Sequence, residues 1–228
     1  MVMRFANGFF ITLSFFVFGI EFVKNNSLPK NFYSWDEYGS EPSLVQDTMI
    51  DVKNKNVIFI GDSHTSNTTN GWQLVLSNRT KMRMNNISVG GKTTQWMLQR
   101  AKETLHIGLD YCFIYGGAND MFSSSIRTEF ALNNIQQIVN ICVSKGIHPV
   151  VITGFDPMIC INTPNNPTYP SRYSNFQNLL VTRIKNAKVI KTHVVLKSDC
   201  WDGLCHMAPS GHRKMAECVI KEMKFKTY

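Results

Sequence analysis

The stretch N-V-I-F-I-G-D-S-H, residues 56–64, decides the fold. Val57, Ile58, Phe59 and Ile60 form a short apolar run rich in β-branched side chains, which suits a buried strand better than a helix. The run stops at Gly61, and a carboxylate and a hydroxyl follow at once in Asp62 and Ser63. Open α/β sheets place their active sites at the C-terminal ends of buried strands. Ser63 is therefore the candidate nucleophile, provided the rest of the chain supplies what a serine hydroxyl needs.

Working outward, strands alternate with helices. A helix is expected within Thr65–Arg79, a second strand over Met82–Val89, and Gly90-Gly91 to end it. Thr93–His106 reads as a helix and Tyr111–Tyr115 as a third strand, followed by Gly116-Gly117-Ala118-Asn119-Asp120. Ile126–Ser144 carries Phe130, Ile135, Ile138, Val139 and Cys142 at helical spacing. His148–Thr153 is a fourth strand. Residues 156–171 hold four prolines and read as a loop. A helix over Tyr173–Asn186, a fifth strand within Ala187–Leu196 and a final helix after Gly211 complete the pattern. Alternation of this kind implies a mostly parallel sheet covered on both faces. Right-handed crossovers then bring Ser63, Gly91, Asn119 and the Asp156 loop to one edge.

A serine hydroxyl needs a base, usually histidine, and a group that orients it. Of six histidines, His206 is the best placed, in S-D-C-W-D-G-L-C-H between the last strand and the last helix. Asp202, four residues before it, is the candidate carboxylate, and Asp199 is the alternative. His64 neighbours Ser63, but adjacent residues of an extended segment point apart. His212 reads as a helix-end residue, and His106, His148 and His193 have no nearby polar partner in sequence. An oxyanion requires aimed donors. The Ser63 N–H, the N–H of Gly91 and the Asn119 side-chain amide are the candidates.

Four segments together resemble the SGNH, or GDSL-like, hydrolase and esterase family. G-D-S-H at 61–64 matches its first block, with histidine where leucine is usual. N-I-S-V-G-G-K-T-T at 86–94 resembles the second, G-A-N-D at 117–120 the third and D-G-L-C-H at 202–206 the last. The family's last block is D-x-x-H, whereas three residues separate Asp202 from His206. A bulge, Asp199 in place of Asp202, or a Ser-His dyad would each accommodate the difference. The resemblance covers about residues 53–220. It implies a flavodoxin-like three-layer α/β/α sandwich with a central parallel sheet, ester hydrolysis by acyl transfer, and no cofactor or metal.

Composition bounds the partners. The chain has 228 residues, enough for one well-cored domain, and a formal net charge of +8. The lysines are scattered without basic-aromatic interleaving, which argues against nucleic acid. An anionic surface or polymer is the gentler implication. Residues 1–22 carry Arg4 and then an apolar stretch of signal-peptide length, to be cleaved or kept as a signal-anchor. That segment is the expected membrane contact if it is retained. Residues 23–50 read as a linker and 51–228 as the hydrolase domain. Six cysteines suit an exported chain; Cys112 reads as buried, and Cys200 with Cys205 could close a small loop. Asn25, Asn67, Asn78 and Asn86 fit the glycosylation acceptor pattern. Export and charge favour O-deacetylation of an extracellular or envelope carbohydrate, with Tyr169 a candidate to stack on a sugar. A lipase or acyl-thioesterase of the same fold, or a non-catalytic binding module, are the alternatives.

Overall fold

The computed structural model describes residues 48–66, 71–160, 166–197 and 206–228. Five strands form one sheet: β1 Asn56–Gly61, β2 Arg83–Asn86, β3 Tyr111–Tyr115, β4 His148–Ile152 and β5 Lys188–Ile190. Their order is β2-β1-β3-β4-β5, and every neighbouring pair is parallel. The helices are α1 Trp72–Thr80, α2 Thr94–Thr104, α3 Ala118–Phe122, α4 Thr128–Ser144, α5 Tyr169–Arg183 and α6 Pro209–Met223. α1 packs on α6, while α4 packs on both α2 and α5, so the sheet is the middle of three layers. The expected flavodoxin-like sandwich is the observed architecture.

Strand order explains where the site falls. The chain steps from β1 outward to β2, then returns across β1 to lay down β3 on the other side. The loops leaving β1 and β3 therefore diverge to opposite faces, and a crevice opens between their carboxyl ends. Gly61 pairs with Tyr115 at that point. A Cβ on Gly61 would stand 2.5 Å from the Tyr115 carbonyl oxygen, so only glycine fits. Ser63 follows one strand end and Asn119 the other.

The core follows from the same burial. Val57, Ile58, Phe59 and Ile60 are all buried, which is why β1 is apolar at successive positions rather than alternating. Phe59 stacks on Phe113 at 4.9 Å and meets the edge of Trp72 at 5.2 Å. At the foot of the sheet Ile50 bridges Phe225; the Ile50 N–H donates to the Lys224 carbonyl and the Lys226 N–H to that of Ile50.

Several expectations change. β2 is shorter than Met82–Val89, although the Ile87 and Val89 N–H groups still donate to the Phe59 and Gly61 carbonyls. Helix α3 is an addition, started by Gly117 at φ +105°. The stretch 156–171 is not all loop. Pro157–Cys160 forms a 3₁₀ turn, and α5 begins at Tyr169 with Pro170 in its first turn, where a missing N–H costs nothing. α6 likewise begins at Pro209, so Gly211 and His212 lie inside it. Tyr169 is buried, 5.6 Å from Tyr173 and 5.7 Å from Phe122, so it is a packing residue and not a sugar platform. His193 does have a partner, since its Nδ1 lies 2.7 Å from Thr153 Oγ1. The terminal segment 1–47, Asn67, Asp199, Cys200, Asp202 and Cys205 lie outside the described residues.

Candidate active site

The turn after β1 is built by its own backbone. The Thr65 and Ser66 N–H groups donate to the Asp62 carbonyl at 3.1 and 2.9 Å. The His64 N–H donates to Asp62 Oδ1 at 3.0 Å, and Ser66 Oγ donates to the Ser63 carbonyl at 3.1 Å. Ser63 is thereby held half-buried at the crest of a tight turn. The loop after β2 is laced to this turn by Asn86, whose amide donates to the Thr65 carbonyl at 2.6 Å and accepts from the Ser88 N–H at 3.0 Å. That engaged amide makes Asn86 a structural residue rather than an exposed acceptor.

The same loop brings Gly90 against the nucleophile. A Cβ added to Gly90 would sit 3.6 Å from Ser63 Cβ. Gly91 follows, exposed and at φ +72°. Its N–H belongs to the peptide that joins it to Gly90. Sequence reading singled out Gly91, whose left-handed φ suits glycine, and its neighbour Gly90 is the residue in van der Waals range of Ser63.

Asn119 reaches this loop from the other strand end. Its Nδ2 donates to the Lys92 carbonyl at 3.0 Å through one of its two hydrogens. Beside it, buried Asp120 accepts the Thr94 N–H at 2.9 Å and the Thr94 hydroxyl at 2.6 Å. Asn134 on α4 donates to the same hydroxyl at 3.1 Å. Asp120 thus caps the first turn of α2 from a different helix, satisfying one of its open N–H groups. Burial raises the Asp120 carboxyl above its ordinary range, and the two Thr94 bonds oppose that rise.

The imidazole arrives from far along the chain. His206 Nε2 lies 3.1 Å from Ser63 Oγ across 143 residues of sequence. The His206 ring is exposed on one side and 5.3 Å from the ring of His64 on another. His64 is itself buried, 5.0 Å from Phe155 and 5.6 Å from Tyr115. Burial pushes His64 down to about 3, with His206 and His212 adding to the effect, so it stays neutral at physiological pH. It forms an apolar backing for His206. His212, at the start of α6, accepts the Trp72 N–H on Nδ1 at 3.2 Å and ties that helix to α1.

Asp62 stands beneath the turn, fully buried, and its Oδ2 has no hydrogen-bond partner among the described residues. Burial pushes its carboxyl up to about 7, and the nearby Asp120 adds to this, while the His64 N–H opposes it.

Of the residues chosen from sequence, Ser63 and His206 meet directly. Asn119 is tied to the loop that Gly90 presses onto Ser63. Asp202 and Asp199 fall outside the described residues. Sequence reading missed Gly90, the Asp120–Thr94–Asn134 chain and the inward turn of His64. The last was missed because a tight turn, not an extended segment, follows Gly61. Among the described residues, no three His, Cys, Asp or Glu side chains gather as a metal site.

A parallel sandwich with serine and imidazole in contact at its switch point defines a class, the α/β serine hydrolases. Residues 59–214 match the model of the GDSL-like lipase/acylhydrolase family. The chain belongs to that family, and it is an esterase-type SGNH hydrolase. Among curated proteins none matches it in sequence. Solved structures share the fold at low identity. A lipolytic protein of the G-D-S-L family from Veillonella parvula is 16% identical with a TM-score of 0.61, covering 73% of this chain and 97% of its own. A GDSL-like lipase from Bacteroides thetaiotaomicron is 13% identical with a TM-score of 0.63, covering 75% and 88%. An acetylxylan esterase from Geobacillus stearothermophilus is 16% identical with a TM-score of 0.59, covering 78% and 98%.

Proposed function

We propose that this hydrolase removes short acyl groups, acetate above all, from an exported carbohydrate. The observation that carries the chemistry is the 3.1 Å contact between His206 Nε2 and Ser63 Oγ. In the proposed cycle His206 takes the Ser63 proton as Oγ attacks the ester carbonyl. The Ser63 N–H, the Gly91 N–H and the second N–H of the Asn119 amide stabilise the oxyanion. The imidazolium then protonates the leaving alcohol. Neutral His206 next activates water, whose attack on the acyl-serine releases the acid and restores the hydroxyl. Asp202 or Asp199 orients His206, or the pair works as a dyad.

The substrate assignment leans on three things. His206 and Gly91 are exposed, so the rim suits an ester displayed on a large molecule. The net charge of +8 suits an acidic polymer or surface. The apolar stretch behind Arg4 suits export from the cytoplasm. The fold neighbour named as an acetylxylan esterase is a precedent for such a substrate on this scaffold.

The test is hydrolysis of p-nitrophenyl esters from acetate to palmitate, beside acetate release from acetylated xylan and acetylated pectin. Preference for acetyl esters and glycans, lost in Ser63→Ala, is the expected result. A long-chain optimum would move the assignment to a lipase. Turnover surviving in Ser63→Ala, or no labelling of Ser63 by a fluorophosphonate on folded protein, would remove the catalytic reading.

A further inference from the structure

A groove of about 490 Å³ runs between α2 and α4, outside the residues assigned to catalysis. Trp96 and Phe130 are its aromatic walls, and Phe130 is 45% exposed. Gln99 and Lys102 form its polar rim, and buried Asn134 its floor. Phe130 is the most open apolar side chain of α4, whose others are buried or partly buried, and it stands beside a partly open tryptophan.

Cations and one carboxylate flank the groove, and Glu103 also accepts from Gln99 of the rim at 2.8 Å. Lys92 Nζ lies 5.8 Å and the Arg100 guanidinium 6.0 Å from the centroid of the Trp96 ring. Arg100 is answered by Glu103 at 2.8 Å, which leaves Lys92 and Lys102 as the cations without an ion-pair partner among the described residues. An aromatic face carries partial negative charge, so it attracts the weakly positive C–H face of a pyranose as well as cations. Carboxylates on the same polymer would meet the two lysines.

One end of the groove also lies one residue from the loop that Asn119 holds. It opens at Thr93, next to Lys92, whose carbonyl accepts the Asn119 amide. From Thr93 to Lys102 the helix advances about 13.5 Å, at about 1.5 Å per residue. The Asp120–Thr94–Asn134 bonds fix the inner end of the groove to α3.

We propose that the α2–α4 groove is a subsite for an anionic glycan chain. The two aromatic rings take sugar faces, Lys92 and Lys102 take carboxylates, and an ester further along the same chain reaches Ser63. This rests on the reading of the protein as a glycan esterase, but binding at the groove can be measured without turnover.

The probe is an oligogalacturonate hexamer, titrated calorimetrically into the full chain, with xylohexaose as the neutral comparison. The acidic hexamer should bind, weaken with added salt, and bind at least tenfold more tightly than xylohexaose. Trp96→Ala, Phe130→Ala and Lys102→Glu should each weaken it about tenfold while p-nitrophenyl acetate turnover stays within twofold. Melting curves identify any variant that fails to fold, and the other two then decide. Full turnover of p-nitrophenyl acetate with no hexamer binding would overturn the groove and leave the esterase standing. Unchanged binding in the folded variants would also overturn it, as would preference for xylohexaose or for phosphatidylglycerol vesicles. Hexamer binding without any esterase turnover would keep the groove and remove the proposed activity.

Discussion

The two halves of the site are held in opposite ways. The half that carries Ser63, Gly90 and Asn119 is laced by backbone and buried side-chain bonds into strand ends and helix starts. The half that carries His206 has an exposed imidazole whose described neighbours are a serine hydroxyl and the ring of His64. Substitutions in the first half should therefore disturb both chemistry and fold. Substitutions in the second should disturb chemistry alone.

The strongest way to break this contrast is His206→Ala. It should lower kcat by about 10³–10⁴-fold, as loss of a triad histidine does, with the melting temperature within about 1 °C of the parent. A large stability loss would show that the His206 arm is structural. Asn119→Ala comes next, with an expected loss of about 10²–10³-fold in kcat for one missing oxyanion donor. It should also cost some stability, because the Lys92 carbonyl loses its partner. Esterase assays and thermal melts on one preparation separate the two effects.

Asp120→Ala tests the laced half directly. It removes the acceptor for both the Thr94 N–H and the Thr94 hydroxyl, so unfolding in urea should show a loss of about 1–3 kcal/mol. Activity should fall by a smaller factor than in Asn119→Ala.

The last effect is a change of slope with pH. Asp62 is raised to about 7 from 3.8, so the folded state holds its proton more tightly than the unfolded state. Its contribution is complete below pH 3.8 and is lost as pH rises towards 7. His64 is lowered to about 3 from 6.5, so its contribution is complete above pH 6.5 and is lost as pH falls towards 3. Between pH 4 and 6 the two slopes oppose each other. Asp62→Asn should unmask a stability that rises by about 1.4 kcal/mol per pH unit, and His64→Leu one that falls by a similar amount. Parallel slopes in the two variants would refute the assignment. His64→Leu should also lower kcat modestly by loosening the backing of His206, with KM unchanged.

Much of this was legible in the residues. β1, β3 and β4 were found because each is a short apolar run ended by glycine or a turn, whereas β2, Arg-Met-Asn-Asn, was placed by the alternation with helices that implies the parallel sheet. Ser63 and Asn119 could be chosen because each follows a strand end, and His206 because it lies in a polar loop between the last strand and the last helix. Prolines misled, because those of 156–171 read as breakers, whereas Pro170 lies in the first turn of α5; the last helix was placed after Gly211, although Pro209 begins it. Gly90 and Gly91 are indistinguishable in sequence, since only the path of the loop tells which one presses on Ser63. Asp120 was missed as a structural part because its partner Thr94 lies 26 residues away, and His64 because a tight turn rather than an extended segment carries it.

The clasp between Ile50 and Phe225 has a practical corollary. Ile50 and Phe225, near the two ends of the described residues, meet at the foot of the sheet, whereas Ser63 stands at its crest, about 20 Å away along the six residues of β1. A handle fused behind Tyr228, or a bead coupled through it, would leave the crest facing open solution. Immobilised enzyme tethered that way should keep its access to bulky polymers, whereas tethering through Lys92 would not.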